Sequence, residues 1–186
     1  MTKNTQIILK NICKSFGDQE VLSDFSAAVH GGKRYALMGK SGIGKTTLFR
    51  ILMGLEMSDS GSLDFLPENP SFSAVFQEDR LFESSDAVTN ICAVTKGLSR
   101  SEALKELSLI APDIDIRTPV SSLSGGQRRR VAVLRALLHP SDVLLMDEPF
   151  SGLDVLSKER TISHIRDNLR DRLFILSTHD EEDARA

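Results

Sequence analysis

The run Gly39-Lys40-Ser41-Gly42-Ile43-Gly44-Lys45-Thr46 constrains this chain more than any other stretch. It fits the pattern G-x-x-x-x-G-K-[ST]. The apolar Tyr35-Ala36-Leu37-Met38 precedes it, and Leu48, Ile51 and Leu52 follow at helical spacing. That context, a strand, a glycine loop and a helix, is the one in which the pattern cradles a polyphosphate. Glycines let the backbone come close and turn its N–H groups inward. The helix adds the positive end of its dipole. Lys45 can then reach the β- and γ-phosphates, and the Thr46 hydroxyl can ligate Mg²⁺. A glycine-rich turn that matches by chance is the plain alternative, and the strand–loop–helix setting argues against it.

At 186 residues the chain can bury a sizeable core, and its length favours one domain with room for a subdomain. A net charge of −3 gives no bulk electrostatic case for nucleic acid. The only basic cluster, Arg128-Arg129-Arg130, reads as a solvated helix face. The longest apolar runs, such as Val143-Leu144-Leu145-Met146, fall far short of the about 18 residues a spanning helix needs. Ile7-Ile8-Leu9 is too short for a signal-peptide core. A cytosolic chain, not itself embedded in a membrane, is expected. Cys13 and Cys92, widely spaced, read as reduced packing residues.

Two strands over residues 7–12 and 21–29 are expected, broken at Ser15-Phe16-Gly17-Asp18. Gly31-Gly32 is a turn, 35–38 a buried strand, 47–53 a helix stopped at Gly54, and Ser58-Asp59-Ser60-Gly61 another turn. Residues 72–76 read as a strand. From about 79 to 122 helical signals dominate. Ser85 or Asp86 can cap a helix through 94, and Ser99 with Glu102 fits a capping box. A helix over 125–138, a strand over 143–146, a helix over 155–169 and a strand over 173–176 complete the pattern. Strands alternating with helices argue an α/β core with a mainly parallel sheet.

Two further runs join the loop. Leu144-Leu145-Met146-Asp147-Glu148 is an apolar strand ending in two acids, which such sheets place beside the phosphate loop. The first acid can hold Mg²⁺, and the second can activate a water. A strand running into a polar turn would explain two such acids taken alone. Leu123-Ser124-Gly125-Gly126-Gln127 puts a hydroxyl and unobstructed N–H groups at a helix start.

With these three runs, Gln77, Ser151-Gly152-Leu153-Asp154 and His179 in the same order, the chain from residue 6 onward resembles the ATP-binding-cassette (ABC) ATPases. The resemblance implies a single nucleotide-binding domain over 1–186. Its ATPase core, with an N-terminal antiparallel β portion, covers about 1–78 and 123–186, and a helical subdomain covers about 79–122. It also implies a head-to-tail dimer in which each ATP lies between the phosphate loop of one subunit and the Ser124–Gln127 turn of the other. Nucleotide contacts are then expected along Gly39 to Thr47, with Mg²⁺ at Thr46, Gln77 and Asp147. Glu148 would act on the water, assisted by Lys45 and Gln77, and His179 would touch the γ-phosphate. Phe16 would stack on adenine, unless it is a core residue. Asp154 would cross the dimer interface, cap the helix that follows, or do both.

Val75-Phe76-Gln77-Glu78-Asp79-Arg80-Leu81-Phe82 resembles bacterial importer subunits of the nitrate, sulfonate and taurine type. That likeness implies separate permease subunits, docked near Gln77 to Phe82, and indirectly a solute-binding protein. It places the chain peripherally at the cytoplasmic face of the membrane. The alternatives are a non-transport ABC ATPase and a regulatory nucleotide-binding module. The chain ends seven residues after His179, shorter than such proteins usually run.

Overall fold

The structure, a computed structural model, describes residues 5–185, which form two compact units. The first takes residues up to 74, then 141–147 and 171 onward. Its N-terminal part is an antiparallel sheet in the order β2-β1-β4, with β1 at Gln6–Phe16, β2 at Gln19–His30 and β4 at Ser60–Leu66. Ile7 faces Val29 on one side and Phe65 on the other, and Leu9 faces Ala27 and Leu63. The pairing slips between Leu9 and Ile12, where Asn11 takes φ 53°. An extra residue at that point re-phases the strand, so Ile12 is buried beside Ile7 and Leu9 instead of facing out.

The second sheet runs β3-β7-β6-β5, with β3 at Arg34–Met38, β7 at Leu173–Thr178, β6 at Val143–Asp147 and β5 at Phe72–Val75. β7 pairs in parallel with both β3 and β6. The two central strands are buried throughout, as unbroken apolar runs in a covered parallel sheet should be. β3 departs from the buried strand expected over 35–38. It is an edge strand whose residues alternate, and Met38 is 45% exposed.

Helix α1, Lys45–Leu52, buries Leu48, Phe49, Ile51 and Leu52 in a core shared with Ile7, Ile12, Leu145 and Ile175. It stops where the sequence puts glycine. Gly54 adopts φ 67°, its N–H donates to Ile51, and the Leu55 N–H donates to the Arg50 carbonyl. Those two bonds cap the last turn in a conformation glycine takes without strain. Strand β4 and the five-residue α6, Glu181–Arg185, were not expected from the sequence.

Register sets the geometry of the sheet's working edge. Met38 lies opposite Thr178, and Asp147 lies opposite Ser177. The strands leading to the glycine loop, to Asp147 and to His179 therefore all finish at one edge, where α/β sheets bind ligands.

The second unit takes 75–140 and 148–170. Alongside the expected helical segment it contains two longer helices. Its helices are α2 at Ala87–Cys92, α3 at Arg100–Ile110, α4 at Gly125–Leu138 and α5 at Val155–Asn168, with a 3₁₀ turn at Val120–Ser122. Each helix starts at a side-chain cap: Asp86 for α2, Asp154 for α5, and reciprocal boxes Ser99/Glu102 and Ser124/Gln127 for α3 and α4. Such caps satisfy N–H groups the helix cannot, at about 1 kcal/mol each. Val88, Ile91, Leu107, Ile110, Val131 and Leu134 are buried in this unit.

The arginine run departs from the solvated helix face expected of it. Arg129 and Arg130 are only 7% and 5% exposed, so they are not a solvated face. Residues 129–134 of α4 are all buried, which sequence charge alone did not suggest.

Candidate functional site: a phosphate-loop edge and a capped serine–glycine turn

In the first unit, the loop from Gly39 to Gly44 joins β3 to α1. Gly42 and Gly44 hold φ 83° and 104°, a region L-residues rarely occupy. Gly44 is also the N-cap residue of α1, so the first N–H groups of the helix open toward the loop. A Cβ on Gly44 would lie 2.9 Å from both the Val21 side chain and its carbonyl oxygen, and one on Gly39 would lie 2.9 Å from Ile43. Glycine at 44 is therefore a steric requirement as well as a conformational one, whereas at 39 the constraint is steric alone, against the Ile43 side chain. Lys40, Ser41 and Ile43 line the exposed crest, with Ile43 open to solvent, and Thr47 is half-buried one position past Thr46.

Lys45 is buried, and its Nζ donates to the carbonyls of Gly39 at 2.7 Å and Lys40 at 3.1 Å. The cation is thus held inside the curve of the loop. Thr46 and Asp147 meet: the threonine hydroxyl donates to Asp147 Oδ2. The Ser177 hydroxyl donates to the other oxygen of the same carboxylate. Asp147, 2% exposed, is therefore fixed from both sides. A hydroxyl oxygen beside an immobilised carboxylate is a donor set suited to a hard divalent cation, so these residues fit Mg²⁺. The glycine-lined loop at a helix N-terminus likewise fits a phosphate chain.

His179 is exposed just past the end of β7. Phe16 ends β1 and is 49% exposed, which removes the core alternative for it. The Lys14 ammonium sits 5.1 Å from its ring centroid, held by Glu56 at 2.8 Å and Asp59 at 3.2 Å. One face of the ring is thus taken by a cation.

The second unit carries Gln77, Glu148 and the serine–glycine turn. Gln77 is exposed. Glu148 adopts φ 48°, left-handed backbone that a glutamate keeps only where its surroundings hold it. The turn behind it is closed by the Ser151 N–H donating to the Glu148 carbonyl at 3.2 Å. Asp154 accepts from the Ser157 N–H at 3.0 Å and so caps α5.

Ser124 and Gln127 form the box that opens α4, leaving Ser124 and Gly125 exposed. A Cβ on Gly126 would lie 3.1 Å from the Gly152 carbonyl, so the turn packs on the 151–154 loop. Gln127 also donates to Asp113 Oδ2 at 3.0 Å. Arg130 donates to both oxygens of that carboxylate, at 2.6 and 2.8 Å. With Arg130 and Gln127 both donating, Asp113 is held well below the usual carboxylate range. Asp113 was missed by sequence reasoning, and no local pattern marks it.

A family profile described as ABC transporter matches residues 22–151. The chain belongs to the ABC transporter family. It is 38% identical to the Fe(3+) ions import ATP-binding protein of Rhizobium meliloti strain 1021, over 97% of this chain and 56% of that protein. It is 36% identical to the aliphatic sulfonates import ATP-binding protein of Pectobacterium atrosepticum, over 99% of this chain and 72% of that protein. The chain thus spans little more than half the length of several curated relatives it matches. Its fold superposes on a bacterial Atm1-family ABC exporter solved with ATP bound, with a TM-score of 0.86 at 24% identity, over 98% of this chain and 36% of the exporter. For this ABC chain the α/β architecture expected from the sequence, with its antiparallel N-terminal part, is met.

Proposed function

We propose that this ABC chain binds ATP with Mg²⁺ and hydrolyses it, as the nucleotide-binding subunit of a bacterial importer with separate permease subunits. The observation that carries this reading is the Thr46–Asp147 contact at the mouth of the glycine loop. It gathers a hydroxyl and a fixed carboxylate beside a helix N-terminus that can take phosphate.

In this reading the N–H groups of 39–47 and the Lys45 ammonium hold the phosphates, and Phe16 offers its free face to adenine. Thr46, Asp147 and Gln77 would hold Mg²⁺, which would supply positive charge against the phosphate oxygens. Glu148 orients and polarises the attacking water, and His179 contacts the γ-phosphate. Ser124, Gly125, Gly126 and Gln127 of a second copy, docked head to tail, complete the site. Neither copy holds a whole site alone, so ATP favours the paired state and its hydrolysis releases it.

The segment 79–122 is the helical subdomain of this scheme. In the second unit, a cavity of about 420 Å³ is lined by residues that include Gln77, Asp79, Arg80 and Arg128. It is the proposed seat for a permease helix. Among the described residues no helix is long and apolar enough to cross a membrane. The importer reading places the chain peripherally on the cytoplasmic face. A solute-binding protein would act only through the permease, and nucleic acid has no part. The relatives named above import chemically unlike solutes, iron ions and sulfonates, so solute choice is assigned to the other subunits.

Calorimetric titration with ATP and Mg²⁺ tests the reading. Binding that disappears on Lys45→Ala is the expected result. Unchanged affinity in that variant would remove the phosphate-loop assignment.

A further inference from the structure

The five residues Phe76 to Arg80 follow β5 without regular secondary structure. Arg80 stands at φ 47°, and its guanidinium lies 4.7 Å from the Phe76 ring centroid. Irregular backbone of this kind must find partners for its carbonyls or lose free energy. Here one helix supplies them. Arg129 of α4 donates to the Phe76 carbonyl at 2.6 Å and the Gln77 carbonyl at 2.5 Å. Arg135, six positions on, donates to the Asp79 carbonyl at 3.1 Å and the Arg80 carbonyl at 2.9 Å. The Asp79 carboxylate pairs with Arg129 at 3.3 Å and, more weakly, with Arg128 at 4.0 Å. Four of the five carbonyls in the segment are thus taken by two guanidiniums of a single helix. That helix begins at Ser124.

We propose that Arg129 and Arg135 are positioning residues that fasten the 76–80 segment to α4, so that Gln77 and the Ser124–Gln127 turn are displaced as one piece. The chemistry favours arginine for the task. Its planar fork gives two parallel bonds to successive carbonyls, and its desolvation is offset by Asp79. A lysine can share one ammonium between two carbonyls, as Lys45 does, but without the fixed pair of parallel bonds that the fork supplies. The strained Arg80 backbone is explained as well, since anchors on both sides over-determine it. The same segment and Arg128 line the 420 Å³ cavity, so an occupant there would push directly on the fastened piece. This inference rests on the nucleotide role proposed above only where it concerns turnover. The attachment itself is independent of that role.

The test uses the whole chain with Arg129→Met, Arg129→Lys and Arg135→Met. Amide hydrogen exchange over 76–81 is read against exchange in α1, and ATP hydrolysis is read as kcat and KM. The methionine variants are expected to speed exchange in 76–81 by roughly tenfold or more while α1 keeps its protection. They should lower kcat by about tenfold with KM within about twofold, and the lysine variant should recover part of both losses. Unchanged exchange at 76–81, a loss of protection spread over the whole chain, or kcat and KM falling together in Arg135→Met would each overturn the proposal. If Arg129→Met does not fold, Arg135→Met carries the test, since it removes only the outer pair of bonds. If the unaltered chain does not hydrolyse ATP, the nucleotide reading fails, and the exchange arm still decides the attachment.

Discussion

The Thr46 hydroxyl donates a hydrogen bond to the carboxylate of Asp147, joining the first turn of α1 to the end of β6 across 101 positions of sequence. Ser177 donates to the same carboxylate from the neighbouring strand. Three elements therefore fix one buried acid before any ligand arrives, and such pre-orientation is worth 10- to 100-fold in metal affinity at other sites, as an order of magnitude. Asp147→Asn removes the charge and turns one oxygen into a donor. It is expected to shrink the gain in nucleotide affinity brought by Mg²⁺ by at least about tenfold, with affinity in EDTA little changed. Titration of a fluorescent ATP analogue with and without Mg²⁺ reads this directly. A Mg²⁺ response equal to that of the unaltered chain would take Asp147 out of the metal site.

Glu148 is one residue further on and faces a different task. Its φ of 48° is imposed by the turn closed onto Ser151, and glutamine tolerates that backbone no worse than glutamate does. Glu148→Gln should fold normally and bind ATP unchanged. Loss of the proton acceptor should slow hydrolysis by about 100-fold or more, within the usual span for a general base. An ATP-bound pair of chains should then accumulate on a sizing column. Turnover at the normal rate would end the assignment.

These positions were legible because each is a short local pattern with a backbone demand behind it. The glycine loop, the Ser99/Glu102 box, the serine–glycine helix start at 124–126 and the buried β6 and β7 runs specify their own geometry within a few residues, whereas the reciprocal Gln127 bond to Ser124 emerged only in the structure. Strand β4 was lost because Ser60-Gly61-Ser62 opens like a turn. Its signal, Leu63 and Phe65 alternating with Asp64, is short and acquires meaning only when paired with Leu9 and Ile7. Arg129 and Arg130 read as solvent-facing because their partners are remote. Phe76 lies 53 positions away and Asp113 lies 17. Charge says how costly burial is, and only the fold says what offsets it.

Asp113 gives a pH dependence with a defined sign. Arg130 first, then Gln127, lower its carboxyl pKa in the folded chain. A lowered folded value means the stabilisation is complete above the ordinary carboxylate range near about 4 and is lost as pH falls below it. Protonation would also leave the buried Arg130 without its counter-ion and loosen Gln127. Melting curves from neutral pH down to about pH 3 should therefore fall more steeply for the unaltered chain than for Asp113→Asn, which is less stable at neutrality and carries no such titration. Parallel acid limbs for the two proteins would refute the linkage.

Gly44 offers a test in which two causes can be separated. Its φ of 104° strains any side chain, and a Cβ would also press within 2.9 Å of Val21, backbone included. Gly42 has a comparable φ of 83° with nothing within 4 Å of the added atom. Alanine at 42 should thus cost strain alone, about 1–3 kcal/mol. Alanine at 44 should cost that and a backbone displacement at the N-cap of α1, where the phosphate-facing N–H groups begin. For a chain of this length each kcal/mol lowers the melting temperature by about 2–4 °C. Gly44→Ala should therefore melt several degrees below Gly42→Ala, and should lose more of its ATP affinity. If the two variants melt together, the contact with Val21 relaxes freely and the loop is softer than its geometry implies. If Gly44→Ala melts lower yet binds ATP as well as Gly42→Ala, the start of α1 is not where the phosphates rest.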